Sequence, residues 1–431
     1  MKKLLLLIIA LMFAACSLTK TSNDTPSSNT DYKFQKHTYF NYPRQINYEF
    51  GLQVFGHNLE PKDVAVIREL KPYVMRLDLS WVVTEPQKGV YYTNTIDAFV
   101  NLSQEYNGKI LLIVDYNNPL YASPNNPAGY PFMSQEANVA MNNLLTFLAN
   151  RYKDKMIFEL WNEPSLNDNN SFWPPSGATA QAYNQWSYGA YQAIKAGNSN
   201  TLVVGPAAAG FKESWQKDLY KQGFLNYVNG ITVHPYRDSI PESVAPDYAS
   251  LAGVMQSYQP TGVSLPIIAG EWGYGSMTRE TISETNCALY LVRMNLFNMY
   301  QNIPFTVYFH LRETNSDRWR GSILRGFDAE YNAAYFAART MVNELRDYSL
   351  VDNLALSKAA LHTEPASSDY FALLFKKGSK SKIVVWSKEK NISFGLVSNG
   401  SITIKKVVET FGNTIPMEFV ATPYPKYIEI E

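Results

Sequence analysis

The sequence predicts an α/β protein built on a closed (β/α)8 barrel, followed by a small C-terminal β-sandwich. Short apolar segments alternate with helical segments through a region of about 300 residues, the size typical of such a barrel. Eight segments of each kind are present, and this alternation is typical of parallel β-α units. The count within a single region favours a closed barrel over an open doubly wound sheet. No GxGxxG or phosphate-binding loop follows any strand.

The predicted strands are short and apolar, and the predicted helices repeat apolar residues every three or four positions. The strands are placed at residues 50–56, 74–81, 109–116, 156–163, 201–206, 230–236, 266–272 and 304–311. The helices are placed at residues 61–70, 95–106, 135–152, 179–197, 213–227, 244–257, 279–302 and 331–346. Catalytic groups on this fold lie at the carboxyl ends of the strands, so polar residues there are the first functional candidates.

Two predicted strands each end in a glutamate. The run KMIFELWNEP at 155–164 delivers Asn162 and Glu163 to the carboxyl end of the fourth strand. The run PIIAGEWGYG at 266–275 delivers Glu271 to the end of the seventh. Two carboxyl groups at one barrel mouth suggest glycoside hydrolysis, in which one protonates the leaving oxygen and the other acts at the anomeric carbon.

These residues carry a family resemblance. The signature Trp161-Asn162-Glu163-Pro164, with a second glutamate at the end of the seventh strand, resembles the retaining glycoside hydrolases built on (β/α)8 barrels. The chain looks most like the xylosidase and iduronidase type families and the cellulase-like families. The resemblance runs from about residue 50 to 345 and includes WVVTEPQKGVYY at 81–92 and ITVHPY at 231–236.

The resemblance implies roles for the strand-end residues. Glu163 would be the general acid/base and Glu271 the nucleophile, with carboxyl groups about 5–5.5 Å apart. Asn162 would bind the sugar 2-hydroxyl. Arg76 and Tyr236 are expected to donate hydrogen bonds that keep Glu271 ionised.

Several candidates carry a structural alternative. Arg76 could instead pair with Asp78 or Glu159 inside the barrel, and His234 and Tyr236 could be core or rim groups. Trp272 is the first candidate for a sugar-stacking platform, with burial in the core as its alternative. Lesser platform candidates in or near the βα loops are Trp81, Trp173 and Trp319.

Other carboxylates have less specific placements. Glu159 lies four residues before Glu163 and is expected to pair within the barrel. Glu85 is expected to hold the TEPQKG turn. Asp115 and Glu313 lie at strand ends and could reach substrate.

The composition favours a neutral substrate. Lys+Arg and Asp+Glu are both 38, so charge gives no indication of a nucleic-acid or polyanion partner. No His, Asp or Glu group has convincing metal-ligand spacing, and no serine lies on a nucleophile elbow. We therefore expect an oligo- or polysaccharide substrate, no cofactor, no metal and a monomeric protein.

The N-terminus reads as an export signal. Lys2 and Lys3 precede an apolar run from Leu4 to Ala15, which is too short to span a bilayer. Residues 1–15 resemble a bacterial lipoprotein signal, with Cys16 as the lipidated residue; an ordinary secretory signal is the alternative. Residues 16–33 are polar and predict a flexible tether. The expected location is the bacterial cell envelope, through a lipid anchor.

The chain from residue 349 to 431 changes character after the predicted barrel at 34–348. Runs of β-forming residues between Gly, Asn and Ser turns predict a β-sandwich, to which residues 39–48 could add a strand. Its expected role is a scaffold, with carbohydrate binding as the alternative.

The function predicted from these observations is a retaining β-glycosidase. Two alternatives remain at this stage. One is a catalytically silent glycan-binding lipoprotein on the same barrel, and the other is a transglycosylase that uses the same covalent intermediate.

Overall fold

The computed structural model describes most of the chain after residue 36. The described residues are 37–55, 59–167, 172–174, 176–275, 282–313, 321–326, 328–354, 369–389, 403–416 and 421–431. The predicted signal peptide, the tether, Cys16 and Trp319 lie outside them. Among the residues described, no helix has both the length and the apolar character needed to cross a membrane.

Eight parallel strands form the predicted closed barrel, in the order β1 to β8 around the ring. The strands are β1 Phe50–Gln53, β2 Val74–Asp78, β3 Lys109–Val114, β4 Met156–Leu160, β5 Leu202–Ala209, β6 Gly230–His234, β7 Ile267–Trp272 and β8 Thr306–Tyr308. Pairing of Phe50 with Thr306 closes the ring between β1 and β8. The prediction of a (β/α)8 barrel is confirmed.

Helices follow the strands, and each predicted helix overlaps an observed one. The helices are α1 Ile46–Glu49, α2 Pro61–Leu70, α3 Trp81–Thr84, α4 Asn94–Gln104, α5 Gln135–Tyr152, α6 Ala180–Gly197, α7 Glu213–Lys221, α8 Ala245–Gln256, α9 Glu284–Tyr300 and α10 Ala333–Leu345. Local sequence determines several starts. The side chains of Ser134, Thr179 and Ser283 accept hydrogen bonds from the first turns of α5, α6 and α9.

The barrel interior is apolar in its lower part and polar in its upper part. An apolar cluster from six strands fills the end nearest the strand N-termini and contains Val74, Leu111, Ile157, Val204, Ile268 and Val307. Phe40, Tyr42 and Tyr48 from the segment before β1 pack against this cluster. The interior positions two residues further along carry Arg76 and Glu159. Polar chemistry is therefore confined to the carboxyl end of the barrel.

An antiparallel sheet of six strands follows the barrel, in the order β11-β12-β13-β16-β14-β15. After the short pair β9 Leu324–Arg325 and β10 Glu330–Tyr331, the sheet strands are β11 Ser349–Asn353, β12 Tyr370–Lys377, β13 Lys380–Ser387, β14 Ile404–Glu409, β15 Thr414–Ile415 and β16 Lys426–Ile430. In the segment 39–48, Gln45 makes a single bridge to Ser349, and the last residues enter α1.

The sheet packs directly on the barrel. Phe371, Phe375, Val384 and Trp386 belong to the same buried cluster as the barrel helices. Phe371 contacts the ring of Phe297 on α9, with ring centroids 5.5 Å apart. The opposite face of the sheet forms a separate buried cluster. The sheet and the barrel therefore share one continuous apolar core.

Two glycines in α6 provide a test of the packing between α5 and α6. A Cβ at Gly197 would lie 2.2 Å from the carbonyl oxygen of Thr146 on α5, whereas a Cβ at Gly189 would lie no closer than 3.8 Å to Asn142. We expect Gly197→Ala to destabilise the fold by about 1–3 kcal/mol because the helices must separate. Gly189→Ala should be neutral or stabilise by up to about 1 kcal/mol through helix propensity. Urea unfolding measures both, and equal effects would contradict the packing described.

Candidate active site

The Arg76 guanidinium lies at the centre of the polar end of the barrel. It is almost completely buried, at 1% exposure. Its Nε donates to Glu159 at 2.6 Å, and Nη1 donates to Gln53 at 2.9 Å and also to the Glu271 carboxylate. Nη2 donates to the Asn162 side-chain oxygen at 2.8 Å. One cation therefore orients groups from β1, β4 and β7 and from the segment after β4.

The Arg76–Glu159 ion pair confirms the prediction that Glu159 pairs within the barrel. Both side chains are buried, so loss of Arg76 would leave the Glu159 carboxylate uncompensated at a cost of about 3–5 kcal/mol. Arg76 combines the two roles considered for it, because the same guanidinium also contacts Glu271 and Asn162.

Glu163 is placed by an unusual backbone turn after β4. Trp161 and Glu163 both have positive φ, 69° and 47°, a conformation that non-glycine residues rarely adopt. The Glu163 amide donates to the Ala207 carbonyl at 3.0 Å, within a bulge of β5 between Gly205 and Ala208. This contact holds the peptide of Glu163 against the neighbouring strand.

The Trp161 side chain holds the same turn from the other side. The indole is fully buried and packs edge-on against Trp173 and Trp186, with centroids 5.1 and 5.2 Å away. Phe132 and Tyr116 make further edge contacts at 5.3 and 5.4 Å. Aromatic packing of this extent offsets the strain of the backbone beside Glu163.

A bulge in β7 directs Glu271 into the barrel mouth. Ala269 pairs with Thr306, and Trp272 pairs with Tyr308. Two residues of β7 therefore lie between these pairs, where β8 has one. The extra residue turns both Gly270 and Glu271 toward the interior and leaves Trp272 facing outward. A Cβ at Gly270 would lie 2.8 Å from Glu159 Oε1, so a larger residue here would displace the carboxylate that pairs with Arg76.

The surroundings of Glu271 favour its ionised form. Burial raises the pKa of this carboxyl, but the electrostatic influence of His234 and Arg76 and the hydrogen bonds from Tyr236 and Arg76 outweigh it. The net pKa lies below its ordinary value. Tyr236 donates its hydroxyl to Glu271 Oε1 at 2.7 Å, while burial and the Glu271 charge raise the Tyr236 pKa and keep the phenol protonated.

His234 contacts Glu163 and lies close to Glu271. Its Nδ1 lies 2.8 Å from Glu163 Oε1, and its Nε2 lies 3.4 Å from Arg76 Nη2. One ligand atom each from Glu163, His234 and Glu271 all lie within 4.8 Å of one another. A divalent cation could be held at such spacing. The neighbouring Arg76 guanidinium contributes a positive charge that opposes cation binding.

The structure does not bring Trp272 into this cluster. Its side chain is fully buried, Arg237 lies over its ring at 5.7 Å, and Tyr274 packs beside it. This placement corresponds to the core alternative rather than to an open stacking platform. Trp173 is buried against Phe132, and Trp81 is buried and stacked on Tyr121.

Two of the other carboxylates have clear structural surroundings. Glu85 accepts hydrogen bonds from Trp81 Nε1 at 2.6 Å, the Gly89 amide at 2.7 Å and Tyr121 at 2.5 Å, so its predicted role in holding the turn is confirmed. Asp115 is fully buried, and burial together with the charge of Asp78 raises its pKa well above the usual range.

Sequence reasoning missed Gln53, which accepts from Arg76 at the end of β1. The signal was a single amide that ends an otherwise apolar strand. It also missed the partly exposed ring of Phe55, which packs edge-on against Phe309 at 6.1 Å. Phe309 also meets Tyr236 edge-on at 6.4 Å, and both are partly exposed. These rings, rather than Trp272, present aromatic surface near the carboxylates.

Comparison with known families decides what kind of protein carries this site. The family model Cellulase (glycosyl hydrolase family 5) matches residues 50–308, which span the whole barrel from β1 to β8. The chain belongs to this family. It is a glycoside hydrolase. No curated protein sequence matches this glycoside hydrolase significantly.

Solved structures similar to this glycoside hydrolase share its fold at low sequence identity. A family 39 glycoside hydrolase from the gut symbiont Bacteroides cellulosilyticus WH2 has a TM-score of 0.70 and 17% identity, with 89% of this chain and 81% of that one covered. A GH39 β-xylosidase from Caulobacter crescentus gives 0.64 and 15%, with 90% and 97% covered. A GH30 endoxylanase from Clostridium papyrosolvens C71 gives 0.60 and 13%, also with 90% and 97% covered.

The buried position of Trp272 in this hydrolase leads to a specific prediction. Trp272→Ala removes a large ring from the core, so we expect a loss of about 3–5 kcal/mol of stability. Molecules that remain folded should have a nearly normal KM, because the ring is not in the cluster. Thermal unfolding and steady-state kinetics test both points. An unchanged melting temperature combined with a large fall in kcat/KM would instead support the stacking platform.

Proposed function

We propose that this protein is a retaining β-glycosidase, with Glu163 as general acid/base and Glu271 as nucleophile. The observation that supports this most directly is the close approach of the two carboxylates, which have oxygens within 4.8 Å of one another. Retention requires carboxyl groups about 5–5.5 Å apart, whereas inversion needs about 6.5–9.5 Å to admit water between them. The two hydrogen-bond donors on Glu271, Arg76 and Tyr236, support its assignment as the nucleophile.

In the first step, the Glu271 carboxylate attacks the anomeric carbon while Glu163 transfers its proton to the glycosidic oxygen. The carbon–oxygen bond to the leaving group breaks, and a glycosyl ester with Glu271 forms. Tyr236 and Arg76 keep Glu271 ionised before attack. Asn162 accepts from Arg76 through its side-chain oxygen, which leaves its amide nitrogen oriented to donate to the sugar 2-hydroxyl.

In the second step, Glu163, now a carboxylate, removes a proton from water, and the resulting oxygen attacks the anomeric carbon. The ester bond breaks and Glu271 returns as a carboxylate. The close contact between His234 Nδ1 and Glu163 Oε1 orients the acid/base for both steps. Water in this step gives hydrolysis, whereas a sugar hydroxyl would give transglycosylation, so product analysis separates the two outcomes.

The substrate class we propose is a neutral β-linked glycan. The matched family is named for cellulases, and the similar solved structures include a β-xylosidase and an endoxylanase. Aryl β-xylosides and β-glucosides, together with xylan and cellulose, are therefore the first substrates to screen. Inactivity on this whole panel and on other β-glycosides would contradict the proposal.

We further propose that the protein is an exported monomeric lipoprotein, anchored through Cys16 in the bacterial envelope. The N-terminal sequence supports export and lipidation. We also propose that residues 349–431 form a β-sandwich. Burial on both faces of the six-stranded sheet supports this, because a two-layer domain requires cover on the face turned away from the barrel.

The spacing of the carboxylates predicts the stereochemical course. Early products from a β-linked substrate should carry the β configuration, because two inversions at the anomeric carbon restore it. Proton NMR of the first minutes of reaction reads this directly, before mutarotation mixes the anomers. Initial appearance of the α anomer would show an inverting enzyme and overturn the assignment of Glu271 as nucleophile.

The roles of the two glutamates predict different responses to substitution. Glu163→Ala should slow substrates with poor leaving groups far more than activated aryl glycosides, for which protonation matters little. Added azide should restore turnover of the activated substrates and yield a β-glycosyl azide. Glu271→Ala should abolish turnover of both substrate types, and any azide product should have the α configuration.

The matched control for these variants is Glu136→Ala. Glu136 is exposed and pairs with Lys88 at the surface, so its loss should leave kinetics unchanged. If Glu163→Ala gave the α-azide and Glu271→Ala the β-azide, the two roles would be reversed.

A further inference from the structure

The segment 235–244, which joins β6 to α8, carries a donor to the proposed nucleophile. Tyr236 donates to Glu271 Oε1 at 2.7 Å, and its own amide donates to the His234 carbonyl at 2.8 Å. His234, directly before the segment, contacts Glu163. Each proposed catalytic glutamate is therefore contacted either from this segment or from the residue directly before it.

Arg237 braces the two ends of the segment together. Its Nε donates to the Pro235 carbonyl at 3.1 Å and its Nη1 to Ser243 Oγ at 3.2 Å. Its Nη2 also pairs with Asp247 on α8 at 3.1 Å. Because one guanidinium spans both ends, a shift near Ser243 is transmitted to the residues beside Tyr236.

Glu242, next to Ser243, is anchored outside the segment by two partners. Arg293 on α9 donates to both carboxylate oxygens, at 2.9 and 2.6 Å. Trp386 on β13 donates its indole N–H to Glu242 Oε1 at 2.8 Å. All three side chains are buried. The carbonyl of Lys388, directly after β13, also accepts from Arg293 at 3.0 Å.

The Trp386 ring is itself fixed against the barrel. It stacks on Phe371 with centroids 4.8 Å apart and an interplanar angle of 17°. Phe371 in turn packs edge-on against Phe297 and Tyr300 of α9. Replacing a buried ion pair by apolar residues of similar volume often leaves the stability of a protein unchanged or higher. The directional hydrogen bonds of Glu242 are therefore better explained by the orientation that they give to the segment than by net stability.

We infer that Trp386 and Glu242 are positioning residues for the Glu271 carboxylate, acting through segment 235–244 and Tyr236. Trp386 then links the C-terminal sheet to the geometry of the active site. The catalytic side of this inference rests on the proposed function. The structural link from Trp386 to the surroundings of Glu271 does not depend on the proposed function.

The direction in which the Glu271 pKa should change follows from the groups that face this carboxyl. These are Arg76, His234 and Tyr236, which favour its charge, and the carboxyls of Glu163 and Asp78, which oppose it. Among the described residues, the C-terminal sheet contributes no charge to this set. Loosening of the Tyr236 contact should therefore raise the Glu271 pKa, and the acid limb of the kcat/KM profile should move to higher pH.

Trp386→Phe tests the inference because it removes the indole N–H and retains an aromatic ring beside Phe371. We expect the acid limb to move upward by about 0.5 to 1 pH unit, with kcat/KM at low pH several-fold lower. Tyr236→Phe should move the acid limb at least as far. The double variant should match Tyr236→Phe alone, because both changes act on the same contact.

Tyr427→Phe is the matched control. Tyr427 is a buried aromatic of the same sheet, and its hydroxyl makes no hydrogen bond within the part of the chain described. Its loss should leave the pH profile unchanged. Additive effects in the double variant, or equal effects of Trp386→Phe and Tyr427→Phe, would overturn the inference and leave Trp386 with a structural role only.

A readout that needs no turnover separates this inference from the proposed function. Carbon-13 NMR titration of labelled glutamate, assigned with Glu271→Gln, gives the Glu271 pKa in wild type and variants. An inactive wild-type protein whose Glu271 pKa still rises in Trp386→Phe would contradict the function and support the positioning link. An unchanged pKa in a folded variant would refute the link.

If Trp386→Phe does not fold, Glu242→Gln provides a second test. This variant retains the acceptor for Trp386 but loses the ion pair with Arg293, and we expect the same rise in the Glu271 pKa.

Discussion

The buried Arg76 guanidinium is the group on which the rest of the site depends. It contacts Gln53, Glu159, Asn162 and Glu271, and so ties together elements that are distant in sequence. The buried charge of Arg76 is compensated by Glu159, which lies inside the barrel below Glu163 and Glu271. The positive charge of Arg76 also lowers the pKa of Glu271, so one residue serves both the barrel interior and the proposed nucleophile.

Irregular backbone segments position the two glutamates of the site. The regular barrel directs alternate side chains inward, but the two proposed catalytic glutamates both come from departures from that regularity. Glu271 lies in the β7 bulge, and Glu163 lies in a left-handed turn that bonds to the β5 bulge. The aromatic packing around Trp161 and the absence of a side chain at Gly270 allow these departures. The packing around these two irregular segments thus holds the two carboxylates in their orientation.

The C-terminal sheet extends this network beyond the barrel. Trp386 reaches Glu242 on the segment that carries Tyr236, and the sheet shares its apolar core with α9. A barrel alone would leave Glu242 and Arg293 with fewer partners at their buried interface. Attachment of the sheet to this side of the barrel therefore supports the segment 235–244, which supplies one of the hydrogen bonds to Glu271.

The sequence by itself determined the barrel, its eight helices and the strand-end glutamates, because hydrophobic periodicity and residue type act over short distances. It also indicated the pairing of Glu159 and the role of Glu85, since both follow from strand parity and turn composition. Only the tertiary structure decided the place of Trp272. A bulge adds one residue to β7, and this leaves the indole outside and turns Glu271 inward. Gln53 and Trp386 likewise gain their roles only through contacts with residues far away in the chain, and no local pattern encodes the direction of such a hydrogen bond.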